Sequence, residues 1–241
     1  MTPSLFIAHR GESFDAPENT LASIDLAWQR GDDAVEFDVH ITADDRVVLC
    51  HDADTGRTGD RSLVIREHTL ADLQQVDIGR WKGPQWIGQS VPTLEQILLQ
   101  TPVNKRLFVE IKPNTPIAAD AVARILVMKQ WTSTNVSVIS FHLNVLRTMT
   151  LQCPTRKFFW LLENPQDIES LVRTAHAERL DGLDLKDGPW LNAALVQTLR
   201  NAGLEKYVWT VDDPKRCKHL AAMGVDGITT NRAAWITQLC R

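Results

Sequence analysis

Two histidines and a pair of carboxylates stand out early in the chain by residue type and by spacing. They lie in Leu5-Phe6-Ile7-Ala8-His9-Arg10, Val35-Glu36-Phe37-Asp38-Val39 and Val47-Val48-Leu49-Cys50-His51-Asp52. Each histidine closes a short apolar run and is followed at once by a charged residue. Alternate residues of a strand share a face, so Glu36 and Asp38 point one way while Val35, Phe37 and Val39 point the other. Two acids on one side of a strand repel unless something cationic sits between them, and a metal ion is the simplest candidate.

Such residues need a scaffold that brings distant segments together. Short β-rich runs fall near residues 5–9, 35–39, 47–51, 106–111, 136–141, 157–162, 182–186, 206–211 and 226–230, with helical patterns between them. The first helix is well marked: Pro17 suits its first turn, Leu21, Ile24 and Trp28 recur at helical spacing, and Gly31 supplies a stop. Alternation of this kind predicts parallel strands joined by helical crossovers, and eight such units close a TIM-type (β/α)8 barrel. A chain of 241 residues suits one such barrel as a single domain over residues 1–241. Residues 52–92 break the rhythm, with Gly56, Gly59, Gly79, Gly83, Gly88, Trp81 and Trp86 but little periodicity. They predict an insertion after the second β/α region that carries its own small structure, because structureless loops of that length are uncommon.

In a parallel α/β barrel the reactive residues gather at the C-terminal ends of the strands. The predicted strand ends here carry His9-Arg10, Glu36-x-Asp38, His51-Asp52, Glu110-x-Lys112, Ser140-Phe141-His142, Asp184-x-Lys186 and Trp209-Thr210-Val211-Asp212. Acids, bases and cations therefore collect at one rim.

Composition narrows the function classes. The net charge of −4, with acids and bases interspersed, leaves no basic stripe for nucleic acid, although a small anionic substrate remains compatible with a locally positive site. No stretch reaches the ~20 apolar residues of a membrane span, and no basic segment leads into an apolar one at the start, so a cytoplasmic protein is the default expectation. Cys50, Cys153, Cys217 and Cys240 lack Cys-x-x-Cys spacing, which argues against a zinc ribbon or a disulfide scaffold. Oligomeric state is not legible in any surface pattern.

The order His9-Arg10-Gly11, Pro17-Glu18-Asn19-Thr20, Glu36-x-Asp38, His51-Asp52, Glu110-x-Lys112 resembles the glycerophosphodiester phosphodiesterases. Arg57-Thr58 and Pro92-Thr93-Leu94 in the insertion and Gly224-Val225-Asp226-Gly227-Ile228-Thr229 near the end also fit, so the resemblance spans nearly the whole chain. It implies a barrel with a small inserted subdomain, one divalent cation, and hydrolysis of glycerophosphodiesters such as glycerophosphocholine or glycerophosphoethanolamine to glycerol 3-phosphate and an alcohol. Glu36, Asp38 and Glu110 would supply oxygen ligands, which suit Mg²⁺ or Ca²⁺ better than a soft metal. His9 and His51 resemble the family's acid/base pair, with no indication of which is the base; imidazole titrates close to working pH.

Arg10 and Lys112 would bind the phosphate and offset its developing charge, or pair with the ligand carboxylates, or both. Phe141 and Trp209 would form an apolar wall against the glycerol carbons, with core packing the competing reading. Pro17-Glu18-Asn19-Thr20 is read as starting a helix beside the site, with Asn or Thr satisfying free backbone donors or holding His9. Lys186 is a rim charge or a partner of Asp184. His40, His68, His142, His176 and His219 are read as surface or structural residues.

Two positions depart from the family pattern. After Trp209-Thr210-Val211 the chain has Asp212 where Asn is usual, and Thr230-Asn231 stands where Thr-Asp is usual. Neither is expected to touch the proposed ligands or histidines, which places substrate preference rather than activity at issue. Two alternatives keep the barrel. A lysophospholipase D-like or phospholipase C-like enzyme would need a lipid-accepting mouth, for which Trp81, Trp86 and Trp131 are available, but no amphipathic basic segment favours stable membrane association. A barrel that only binds phosphodiesters would be expected to have lost a histidine or a ligand carboxylate, and all five are present.

Overall fold

The computed structural model describes residues 4–131 and 135–240. Eight strands run parallel: β1 (Leu5–His9), β2 (Ala34–Ile41), β4 (Arg106–Ile111), β5 (Asn135–Ser140), β6 (Lys157–Leu162), β7 (Gly182–Lys186), β8 (Glu205–Trp209) and β9 (Gly227–Thr230). Each bonds to the next in that order, and β9 bonds back to β1, so the sheet closes into the predicted TIM barrel. The crossovers contain α1 (Leu21–Gln29), α3 (Leu94–Gln100), α4 (Pro116–Leu126), α5 (Leu143–Gln152), α6 (Ile168–Ala177), α7 (Ala193–Asn201) and α8 (Pro214–Met223), and α9 (Ala233–Cys240) follows β9. No helix among the described residues is long and apolar enough to cross a membrane.

Strand alternation divides the apolar residues into two layers. Val35, Phe37 and Val39 of β2 belong to the layer between barrel and helices, with Leu107 and Val109 of β4. The opposite faces fill the barrel interior, where Ile7, Phe108, Ile139, Phe159, Leu161 and Tyr207 form a separate cluster. Tyr207 meets Phe108 and Phe159 edge-on, with ring centroids 5.1 and 4.8 Å apart. The interior is thus a packed floor for polar residues further along the same strands, as the geometry of a small barrel demands.

The third β-run differs from expectation. β3 (Val47–Leu49) lies antiparallel to β2 outside the ring, pairing Val39 with Leu49, and it ends before His51. The α1 helix also begins later than predicted: Thr20 is its N-cap and forms a capping box with Ser23, so Pro17 precedes the helix. A side-chain acceptor at Thr20 satisfies an otherwise free backbone donor and sets the start.

Residues 52–92 fold into short elements. They contain three 3-10 turns, at Ile65–Glu67, Arg80–Lys82 and Pro84–Trp86, and the short α2 (Leu70–Leu73). Ile65, Leu73, Val76, Ile78 and Val91 pack with Val48 and Cys50 into a third apolar cluster. Asp77 accepts backbone N–H bonds from Gly79, Arg80 and Gly88, which closes the second half of the excursion. Gly79 is required there, since a Cβ would sit 1.9 Å from the Trp86 carbonyl oxygen.

Candidate active site

Three neighbouring strands deliver the acids and one histidine. In the parallel register His9, the last residue of β1, lies beside Glu36, and Asp38 lies beside Glu110 near the end of β4, while β2 runs on past both acids to pair with β3. Ligand oxygens of Glu36, Asp38 and Glu110 come within 4.8 Å of one another, and all three side chains are buried. His51 arrives from another direction, on the loop after β3, where the Cys50 N–H donates to the Asp38 carbonyl at 3.2 Å.

Two cations face the three acids. The Arg10 backbone N–H donates to Glu36 Oε2 at 3.1 Å, and its guanidinium lies 3.2 Å from Asp38 Oδ2 and 2.7 Å from Glu18 Oε1. Lys112 Nζ lies 2.8 Å from Glu110 Oε1 and 3.5 Å from Asp38 Oδ1. Arg10 has φ +55° and Gly11 +80°, a turn so tight that a Cβ on Gly11 would meet Ser23 Oγ at 2.5 Å. That turn is why His-Arg must be followed by Gly here.

The charge balance leaves the acids under-compensated. Burial, with Asp38 and Glu110 nearby, pushes the Glu36 carboxyl well above its usual range. Burial and Asp38 raise Glu110 to about 7. Asp38 is the exception: burial opposes its charge, but Arg10 and Lys112 outweigh burial and lower it. Three converging buried oxygen donors with a deficit of positive charge fit a hard divalent cation.

Each histidine has a fixed back and a face toward the pocket. His9 Nδ1 is 2.7 Å from Asn231 Oδ1, while Nε2 is 3.9 Å from Glu36 Oε2. Burial, then the adjacent Arg10, lowers His9 to about 4. His51 Nδ1 is 2.7 Å from Asp52 Oδ1. Asp52 Oδ2 accepts from Arg57 Nε at 2.6 Å, and both Arg57 terminal nitrogens donate to Glu18 at 2.8 and 2.9 Å. Glu18 therefore joins Arg10 to Arg57. Although burial opposes its charge, the two arginines hold it at about 2.

These groups border a cavity of about 280 Å³ lined by His9, Arg10, Glu36, His51, Glu110, Lys112, Phe141 and Trp209. Phe141 and Trp209 are partly exposed and stand edge to face, 5.7 Å apart. Of the nine residues singled out from sequence, eight thus line one cavity, and Asp38 lies beneath it, 1% exposed.

Sequence reasoning missed several contacts. Asn19 donates to Asp38 Oδ2 at 2.8 Å and accepts the Asp38 N–H at 3.1 Å, so it positions a carboxylate and not His9. Lys186 pairs with Glu163 at 3.1 Å and lies over the Trp209 ring, leaving Asp184 without it. Asp184 itself lines the cavity, buried, with Oδ1 lacking a hydrogen-bond partner. Its strand-end position was the available signal. Asn231 was expected to be remote from the histidines, yet it bonds His9. The remaining histidines are structural where bonded: His40 meets the His51 carbonyl, His68 the Val64 carbonyl and His176 the Ala202 carbonyl. Trp81, Trp86 and Trp131 do not line the cavity, and Trp131 is buried.

The fold and the site define a (β/α)8-barrel enzyme with a carboxylate cluster and two histidines at the C-terminal rim. The chain belongs to the glycerophosphoryl diester phosphodiesterase family, whose sequence profile matches residues 9–234. A glycerophosphodiester phosphodiesterase of Caldanaerobacter subterraneus subsp. tengcongensis is 28% identical over 243 residues, covering 99% of this chain and 98% of the relative. One from Bacillus subtilis (strain 168) is 29% identical over 245 residues, covering 94% and 83%. Among solved structures, an Oleispira antarctica phosphodiesterase in complex with the product sn-glycerol-3-phosphate superposes with a TM-score of 0.88 at 26% identity, over 98% of this chain and 96% of that one.

Proposed function

We propose that this site hydrolyses glycerophosphodiesters such as glycerophosphocholine or glycerophosphoethanolamine, releasing glycerol 3-phosphate and the head-group alcohol. The observation that carries the reading is the convergence of two histidines, three buried acids and two cations on one cavity beside an aromatic pair. Glu36, Asp38 and Glu110 would hold one divalent cation, Mg²⁺ or Ca²⁺. When bound, such an ion supplies Lewis-acid withdrawal of charge from a phosphodiester oxygen.

The chain's own residues do the rest. Arg10 and Lys112, already beside the carboxylates, bind the phosphate oxygens and offset charge that grows on them in the transition state. His9 is neutral at working pH, because burial and Arg10 hold it at about 4, so its Nε2 lone pair takes the proton from the nucleophile. That nucleophile is either water, which gives glycerol 3-phosphate directly, or the glycerol 2-hydroxyl, which gives a cyclic phosphate that water then opens. His51, held through Nδ1 by Asp52, uses Nε2 to protonate the departing alkoxide. Phe141 and Trp209 pack against the glycerol carbons and exclude water from that side.

The test is glycerol 3-phosphate release from glycerophosphocholine and glycerophosphoethanolamine, in EDTA and with added Mg²⁺ or Ca²⁺, for wild type and His9→Ala. Metal-dependent release that falls by ~10²–10⁴ in the variant is the expected result. Absence of release by folded wild type with every metal would reject the reading.

A further inference from the structure

The two positions that depart from the family pattern touch each other. Asn231 Nδ2 donates to Asp212 Oδ2 at 2.7 Å, and the Asn231 backbone N–H donates to Asp212 Oδ1 at 2.8 Å. Thr230 Oγ1 also donates to Asp212 Oδ1, at 2.7 Å. On its other side, Asn231 Oδ1 lies 2.7 Å from His9 Nδ1 and accepts from Ser13 Oγ at 3.1 Å.

We infer that Asp212 and Asn231 are positioning residues that set which nitrogen of His9 carries the proton. A carboxylate can only accept, so the Asn231 edge that faces Asp212 must be its NH₂. The amide oxygen is thereby turned to His9, and an oxygen there obliges Nδ1 to be the protonated nitrogen. Nε2 is left as a lone pair on the cavity side. This inference rests on the proposed function only for its consequence, a base ready at Nε2; the tautomer follows from the hydrogen bonds alone.

The logic extends to substitutions. In Asp212→Asn, Thr230 and the Asn231 N–H still need an acceptor, so the new amide turns its oxygen to them and its NH₂ to Asn231. Two NH₂ groups then oppose each other, the Asn231 amide flips, and it presents a donor to His9. His9 Nδ1 must then accept and the proton moves to Nε2, where it blocks base action. Asn231→Asp instead opposes two carboxylates. The exchange Asp212→Asn with Asn231→Asp restores every bond: the new Asp accepts from His9, and the new Asn donates to it.

Two measurements test this. In ¹⁵N-histidine-labelled wild type at neutral pH, long-range ¹H–¹⁵N spectra should show His9 in the Nδ1–H form, and Asp212→Asn should shift it toward Nε2–H. In turnover, Asp212→Asn should lose about 10–100-fold in kcat, the usual cost of losing an orienting partner, with KM within about twofold. The double exchange should recover most of kcat. An Nε2–H tautomer in wild type, wild-type kcat in Asp212→Asn, or a double exchange no better than Asp212→Asn would overturn the inference. If wild type turns over no glycerophosphodiester, the functional reading fails, while the spectra still decide the tautomer.

Discussion

Replacing Glu110 with Gln should make the metal-free protein more stable while removing its activity. Glu110 is buried beside Asp38, and its carboxyl rises from an ordinary 4.5 to about 7 even with Lys112 2.8 Å away. A raised acid is a cost that begins as pH climbs past the unfolded value and is complete above the folded one. At 1.36 kcal/mol per pKa unit the ionised group costs at most roughly 3 kcal/mol at pH 8. Gln removes that cost and relieves Glu36 and Asp184, both of which Glu110 also pushes up, but Lys112 loses its nearest partner. The expected net gain is on the order of 1–3 kcal/mol in EDTA, or roughly 2–10 °C in Tm for a domain of this size. Below about pH 4.5 both forms are uncharged and the gain should vanish. Thermal melts of wild type and Glu110→Gln from pH 4 to 9 in EDTA, repeated with Mg²⁺ and Ca²⁺, check this. A variant that melts at or below wild type at pH 8, or a gain independent of pH, would show that the cluster is not held under charge strain.

Three further outcomes follow from the same geometry. Adding Mg²⁺ or Ca²⁺ to wild type should raise Tm at pH 8, by the equivalent of about 2.7 kcal/mol at one hundred times Kd, and by less at pH 5, where the ligand carboxylates bind protons; equal shifts at both pH values would count against these ligands. Glu18, held at about 2 by its arginines despite burial, contributes stability that is full above about 4.5 and is lost as pH falls toward 2. Glu18→Gln should therefore lower the urea-derived stability at pH 7 by about 1–2 kcal/mol after screening on the exposed Arg57 side, with the difference shrinking at pH 3; a constant difference would assign the effect to packing. Trp209→Ala should raise KM several-fold with a smaller change in kcat, and an unchanged KM would remove the aromatic wall from substrate binding.

Much of this arrangement is legible in the chain because strand periodicity and barrel polarity are strict. Once Glu36 and Asp38 share a face and the strands run parallel, His9, Glu110 and Lys112 must arrive at the same rim, and they do. The direction of β3 is not legible, because three apolar residues, Val47–Leu49, pair equally well either way until the ring excludes them. Nor is the start of α1, where Thr20 and Ser23 cap each other and override the proline signal. Contacts between loops at the rim are the least accessible: Arg57 reaching Glu18, or Asn231 reaching His9, depends on where closure of the barrel places two segments that share no periodicity.

The His9–Asn231 bond joins residues 222 positions apart. It also lies at the seam where β1 meets β9, the pairing that closes the ring. A ribosome-bound chain can expose all three carboxylates, both histidines and both cations long before Asn231 has left the exit tunnel. Until then the Nδ1 side of His9 lacks its Asn231 partner, and the ring is open between β8 and β1. A chain stopped short of β9 should therefore turn over more slowly than the closed barrel, and recovery of turnover would report completion of the ring. Contacts of such long range form only after the loop-closure entropy of the whole chain is overcome, which places ring closure among the slower steps of folding.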